Sequence, residues 1–247
     1  FVINGKMYVG CGHNTLGNLV NDFWEYDPVS DVWTAKAAMP NGGKAYGSCF
    51  VIVNYAYAGL GDDGTGYSGD FWRYNPLNNT WTQVANLAGN PRLSASAFSV
   101  NGYGYIMGGY GTSGYQNTMW QYDPMNDSWV QKAGFNTIGR TNAIGFSLNG
   151  YGYFGTGWYA NNAHSDIRQY DPTIDSWIQV ASFPNASSNS SIFCMNGYAY
   201  AGLGEDAGNN LFNDFYKYDP VANSWSSVSS LSTARHYAVG GAIGNNG

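Results

Sequence analysis

One motif recurs five times at a fixed interval, and it restricts this chain to repeat architectures. It first appears as Phe23-Trp24-Glu25-Tyr26-Asp27-Pro28, followed by Trp33. Later copies centre on Tyr74-Asn75-Pro76, Tyr122-Asp123-Pro124, Tyr170-Asp171-Pro172 and Tyr218-Asp219-Pro220, with Trp81, Trp129, Trp177 and Trp225 behind them. Neighbouring copies are 48 residues apart, for tyrosines and tryptophans alike. A period of this length marks a supersecondary unit that buries its faces against copies of itself.

Within a unit the pattern is that of short strands. In the second copy, 46–53 is an apolar run, 55–59 a second strand, 62–70 a polar glycine-rich loop, 71–74 a third strand, and 81–84 a fourth. Four short strands with tight connections predict an antiparallel sheet in each unit. The prolines preset φ in the turn between strands three and four, where Asp or Asn on either side can close it. Asn-Gly pairs at Asn4, Asn101, Asn149 and Asn196 predict hairpins between strands one and two; the second copy carries Asn54-Tyr55 there. Gly10, Gly59, Gly109, Gly155 and Gly202 end strand two, where backbones approach closely. Met39, Leu87, Phe135, Phe183 and Leu231 share the spacing and are expected to plug the core after strand four. A helical reading fails, because no segment keeps a 3.6-residue apolar period and Gly and Pro interrupt too often.

These residues resemble the kelch repeats of β-propellers, including the propeller of galactose oxidase. The likeness spans the chain and rests on the Gly-rich end of strand two, the aromatic-x-x-Tyr-Asp/Asn-Pro turn and the Trp opening strand four. Basic residues before strand one add to it: Lys44, Arg92, Arg140 and Arg235. Two departures stand out: the adjacent glycine pair is mostly Gly-x-Gly, and the fifth copy has Ser188 where a basic residue is expected. The resemblance implies an all-β propeller with four antiparallel strands per blade, and five repeats closed by the C-terminal strand predict five blades. The expected blades are 235–247 plus 1–39, then 40–88, 89–136, 137–184 and 185–234. Residues 235–243 resemble 140–148, so they are expected to supply the inner strand of blade one and remove the exposed sheet edges. The alternative is that these blades are part of a six- or seven-bladed ring.

Composition bounds the function. The net charge is −6 and the ten Lys and Arg residues are scattered, which disfavours nucleic acid and anionic membrane as partners. No apolar run approaches the roughly 20 residues needed for a membrane-spanning helix. Cys11, Cys49 and Cys194 fall at unrelated repeat positions and read as small buried hydrophobes, not a disulfide framework. Few lysines among much Asn, Gly, Ser, Thr, Tyr and Trp favour an extracellular or cell-surface setting. Phe1-Val2-Ile3-Asn4-Gly5 reads as a strand already under way, so further domains of a longer parent chain are expected.

Alternating strand direction puts the loops between strands two and three on one face with the links between units. Those loops (13–22, 62–70, 110–118, 158–166 and 205–214) are the longest and least repetitive, which places binding there. Two candidate features follow. Lys44, Arg92, Arg140 and Arg235 could donate to carboxylates or sugar hydroxyls at the channel mouth, or tie down backbone carbonyls of neighbouring blades. Tyr67, Tyr110, Tyr115, Trp158 and Tyr159 could form an aromatic platform for a sugar or protein, or pack the loops on themselves.

Closure of the ring would also bring His236 and His13 to one end of blade one, near Cys11 and the Glu205/Asp206 loop. No metal-ligand spacing supports a centre there, and the two His and two Tyr of the galactose-oxidase copper site have no matching set. Asp62-Asp63-Gly64-Thr65-Gly66 lacks the later glutamate of a calcium loop. Four N-glycosylation patterns begin at Asn78, Asn126, Asn185 and Asn189, the first two in turns that want Asn or Asp anyway. The expected function is therefore a non-catalytic module binding a protein or glycan, with no catalytic residue, metal or cofactor assigned. The alternatives are a sugar-acting enzyme and an architectural module of a larger surface protein.

Overall fold

A computed structural model describes residues 1–135 and 138–244. Among these there is no helix, and five four-stranded antiparallel sheets follow one another along the chain. Sheet one comprises Val2–Ile3, Lys6–His13, Leu19–Asp27 and Val32–Ala35. Sheet two comprises Ser48–Ile52, Tyr55–Gly59, Phe71–Asn75 and Thr80–Val84. Sheet three is Ser96–Val100, Tyr103–Met107, Met119–Asp123 and Ser128–Lys132. Sheet four is Ile144–Leu148, Tyr151–Gly155, Ile167–Asp171 and Ser176–Val180. Sheet five is Ser191–Met195, Tyr198–Gly202, Phe215–Asp219 and Ser224–Val228. The expected limits at 136 and 137, and the stretch 245–247, lie outside the described residues.

The turns behave as their chemistry requires. Asp27, Asn75, Asp123, Asp171 and Asp219 each accept the N–H two residues on, at 2.8 to 3.0 Å. The residue four further along takes a left-handed backbone, with φ between 46° and 56°, and is always Asp or Asn. Both residue types tolerate that region because their short polar side chains bond locally. Three details differ from the sequence expectation, the first being that strand two of sheet one runs past Gly10 to His13, with a register shift between Gly10 and Gly12. The second hairpin turn is Val53-Asn54, and Val53 itself sits at φ 54°. Strand two of sheet three ends at Met107, so Gly109 lies beyond it and Met107 holds the place that glycine holds elsewhere.

Sheets one to five are joined by four copies of one packing device. Trp81, Trp129, Trp177 and Trp225 each donate their indole N–H to a carbonyl of the preceding unit: Ala37, Ala85, Ala133 and Ala181. The same four alanines donate their N–H groups to Asn79, Asp127, Asp175 and Asn223, whose side chains also accept from the repeat tyrosines. Behind these bonds lie aromatic cores such as Phe50, Phe71, Tyr122 and Trp129 between sheets two and three. Met39, Leu87, Phe135 and Phe183 are buried, as plugs should be.

Among the described residues no fifth copy of this device links sheets five and one. Trp33 is 49% exposed and Leu231, the fifth plug, 42%. Residues 235–242 form no strand, and the innermost strand of sheet one is Val2–Ile3 alone. The expected strand over 235–243 is therefore replaced by a glycine-containing segment threaded past both sheets. A Cβ on Gly240 would meet Ser191 and Phe193 of sheet five, and one on Gly241 would meet Val2 and Met7 of sheet one.

Candidate functional site

The expected basic residues divide into two groups. Lys44, Arg92 and Arg140 are at most 3% exposed. Each opens a unit and reaches across to the loop between strands two and three of its own sheet. Lys44 Nζ bonds Ser68 Oγ at 2.9 Å and Asp70 Oδ1 at 2.8 Å. Arg92 Nη1 bonds the Gly108 carbonyl and Thr118 Oγ1. Arg140 Nη1 bonds the Thr156 carbonyl and lies 2.6 Å from Asp166. The expectation of these three as rim donors is corrected: a buried cation needs its donors satisfied from within, and these largely are. Arg235 differs, being exposed, with its Nε 3.5 Å from the Thr233 carbonyl.

The aromatic residues do come together. Tyr67 and Tyr110 lie 6.2 Å apart, Tyr110 and Tyr115 5.0 Å, and Tyr115 and Tyr159 5.1 Å, all edge to face. The string crosses the loops of sheets two, three and four. It is fixed by short loop hairpins, Arg92–Leu93 with Tyr110–Gly111 and Gly114–Tyr115, then Trp158–Tyr159 with Asn162–Ala163. Trp158 belongs to the second hairpin. All five residues are partly buried.

The sequence reading missed a collar of five backbone-linked residues. Tyr237 donates its N–H to the Asn189 carbonyl, Asn189 to Asn142, Asn142 to Ser94 and Ser94 to Tyr46. All five residues have φ between 51° and 57°, and they line a pocket of about 210 Å³. The Tyr46 and Tyr237 rings then meet at 6.2 Å. The signal was in the sequence: Tyr46, Ser94, Asn142 and Tyr237 each stand two residues after a basic opener. Their side chains share no chemistry, which hid them.

The collar carries the His236 group. His236 Nδ1 is 3.0 Å from Glu205 Oε2, and Asn189 Nδ2 holds the other Glu205 oxygen at 2.8 Å. The His13 ring lies 5.8 Å from that of Tyr46 in a tilted pair, while Asp206 is spent on its own turn with Gly208 and Asn210. Among the described residues no three His, Cys, Asp or Glu side chains are grouped to hold a metal.

The kelch motif model matches residues 1–40, 55–88, 91–136 and 188–232, about two thirds of the chain. The chain belongs to the kelch family. A solved structure titled "Structure of YjhT" shares the kelch propeller fold with a TM-score of 0.80 at 18% identity, covering 99% of this chain and 86% of that one. A search of curated protein sequences gives no match.

This kelch chain also encloses a cavity of about 740 Å³ between sheets one and two, lined by Met7, Cys11, His13, Tyr46, Cys49 and Gly241 among others. It lies where the short Val2–Ile3 strand leaves the inner edge of sheet one uncovered. The cysteines diverge here from the expectation of buried hydrophobes. Cys49 is exposed to this space, while burial pushes the Cys11 thiol up to about 11 and that of Cys194 to about 12. Sequence spacing holds no signal for this cavity, because it arises where a strand that the periodicity leads one to expect does not form.

Proposed function

We propose that this kelch propeller is a non-catalytic binding module that takes a glycan or protein partner on its loop-bearing face, a glycan being the better fit. The reading rests on the edge-to-face string Tyr67–Tyr110–Tyr115–Tyr159. Rings in fixed loops offer apolar faces and phenol hydroxyls with little side-chain entropy left to lose. Arg235, His236 and Trp158 extend the surface. The buried Lys44, Arg92 and Arg140 position its loops. We place the module at the cell surface or outside the cell, on its composition.

We further propose that the five sheets make one five-bladed ring with its seam between sheets five and one. The collar supports this, since five residues run head to tail from Tyr237 to Tyr46 and the two end rings touch.

A glycan array probed with the wild-type protein and with Tyr115→Ala tests the binding reading. The expected result is a defined set of hits weakened about tenfold or more in the variant, the loss expected when a central aromatic contact is truncated. An array without hits, or hits unchanged in the variant, contradicts it. A second reading draws on the Asn189–Glu205–His236 relay, whose oriented imidazole could serve as a base in a sugar-acting enzyme. Loss of turnover of an array hit in His236→Gln, with binding retained, would favour it.

A further inference from the structure

Comparing the five sheets where their inner strands begin isolates a place that sheet one leaves empty. In sheets two to five a three-residue segment fills it: 46–48, 94–96, 142–144 and 189–191. The first residue of each belongs to the collar. The second is Gly47, Ala95, Ala143 or Ser190, and it packs on a glycine beyond strand two. A Cβ built on Gly61, Gly109, Gly157 or Gly204 would come within 2.6 to 3.0 Å of it. The third is Ser48, Ser96, Ile144 or Ser191, and it pairs with the residue that ends strand two. Ser48 and Ser96 also donate their hydroxyls to the carbonyls of Ala95 and Ala143, in the segment of the next sheet.

Sheet one keeps the receiving groups without such a segment. Gly12 corresponds to those four glycines: its φ is 101°, and it donates its N–H to the Lys44 carbonyl as Gly61 and Gly109 donate to Arg92 and Arg140. Yet a Cβ on Gly12 would meet nothing within 4 Å. Gly10 pairs with Phe23 on its outer side, and among the described residues nothing pairs with it on the inner side. Tyr8 exchanges both backbone bonds with Phe1, so strand alternation turns the N–H and carbonyl of Gly10 to that same inner side. The collar is open here too: the Tyr46 N–H and the Tyr237 carbonyl have no hydrogen-bond partner among the described residues. Gly10, Gly12, Tyr46, Gly47 and Tyr237 all line the cavity of about 740 Å³, a volume within the range of about 300–1,000 Å³ usual for ligand sites. The C-terminal segment forms its far wall, with Gly240 against Ser191 and Phe193 of sheet five.

We propose that this edge of sheet one is a strand-addition site, which takes an extended three-residue segment of another polypeptide with the pattern polar–small–Ser. The incoming strand runs antiparallel to strand two of sheet one, in line with Val2–Ile3, and so continues a pairing the sheet already makes. Its first residue donates to the Tyr237 carbonyl and accepts from the Tyr46 N–H, closing the collar. Asn suits that position, because all five collar residues have left-handed backbone. Its second residue lies on Gly12 and is small, as in the four sister sheets. Its third exchanges both backbone bonds with Gly10 and sets its hydroxyl on the Gly47 carbonyl. Main-chain bonds give such a contact affinity, and the side-chain positions give it specificity. The site is separate from the aromatic string and does not rest on the glycan reading.

The test titrates the peptide acetyl-Asn-Ala-Ser-amide into the wild-type protein and follows the backbone amide resonances. The signals of Gly10, Gly12 and Tyr46 are expected to shift together and saturate, while those of Tyr110 and Tyr115 hold still. Two further peptides test the register without altering the protein. Methylation of the Ser nitrogen removes the bond to the Gly10 carbonyl and should weaken binding about tenfold. Acetyl-Asn-Val-Ser-amide sets a branched side chain on Gly12 and should weaken it as much. Signals that stay fixed or never saturate, or an N-methyl peptide that binds as well as its parent, overturn the proposal. So does a shift of the same three signals with protein concentration alone, since the occupant is then a second copy of this chain.

Discussion

At the residue scale, departures from the repeat are the informative positions. Val53 occupies a turn position that Asn holds in the other four hairpins, and it does so at φ 54° with its side chain 80% exposed. A β-branched residue pays for left-handed backbone and gains no packing there. Val53→Asn is expected to stabilise the protein by about 1 kcal/mol, read as a rise in denaturant midpoint at unchanged slope. Asp70 gives the opposite case. Burial works to raise its pKa, but hydrogen bonds from Lys44, Ser68 and Trp72 outweigh it and hold the value below 3.8. A carboxyl depressed on folding contributes stability above its unfolded pKa and loses it as pH falls through the folded one. The thermal midpoint should therefore fall as pH drops below about 4, and Asp70→Asn should flatten that fall while lowering the midpoint at neutral pH. A variant as steep as the wild type would contradict the assignment.

At the element scale, the units are held by the joint between sheets more than by any single sheet. Trp129→Phe removes the bond to the Ala85 carbonyl at 2.8 Å and leaves that carbonyl unpaired. The expected cost is about 1–3 kcal/mol. Trp33→Phe, at the seam where no such bond forms, should fall within about 0.5 kcal/mol of wild type. Equal costs at the two sites would mean the joints carry little. Much of this was legible in the sequence, because each repeating residue does a local job that spacing exposes: Pro at the turn, Asn-Gly at the hairpin, Trp at strand four. What escaped was set by register and contact. The Tyr46–Tyr237 collar depends on backbone angles that residue type does not announce. The inward course of Lys44, Arg92 and Arg140 depends on which carbonyls lie within reach. The short inner strand of sheet one departs from the period itself.

At the scale of the whole molecule, four like joints and one unlike seam predict uneven stability. Backbone amides of sheet one should exchange with solvent sooner than those of sheets three and four, which are flanked on both sides; uniform exchange would contradict the seam. The same asymmetry bears on function, since the aromatic string crosses sheets two to four, away from the seam. The central claim is that recognition happens on the loop-bearing face, and the most direct measurement is a tyrosine-nitration footprint with and without the best array glycan. Tyr67, Tyr110, Tyr115 and Tyr159 report on that face, while Tyr103 and Tyr151, each 37% exposed beside an Asn-Gly turn, report on the opposite one. Protection of the first four with the last two unchanged is the predicted result; protection of Tyr103 and Tyr151 instead would place the partner on the other face and contradict the account.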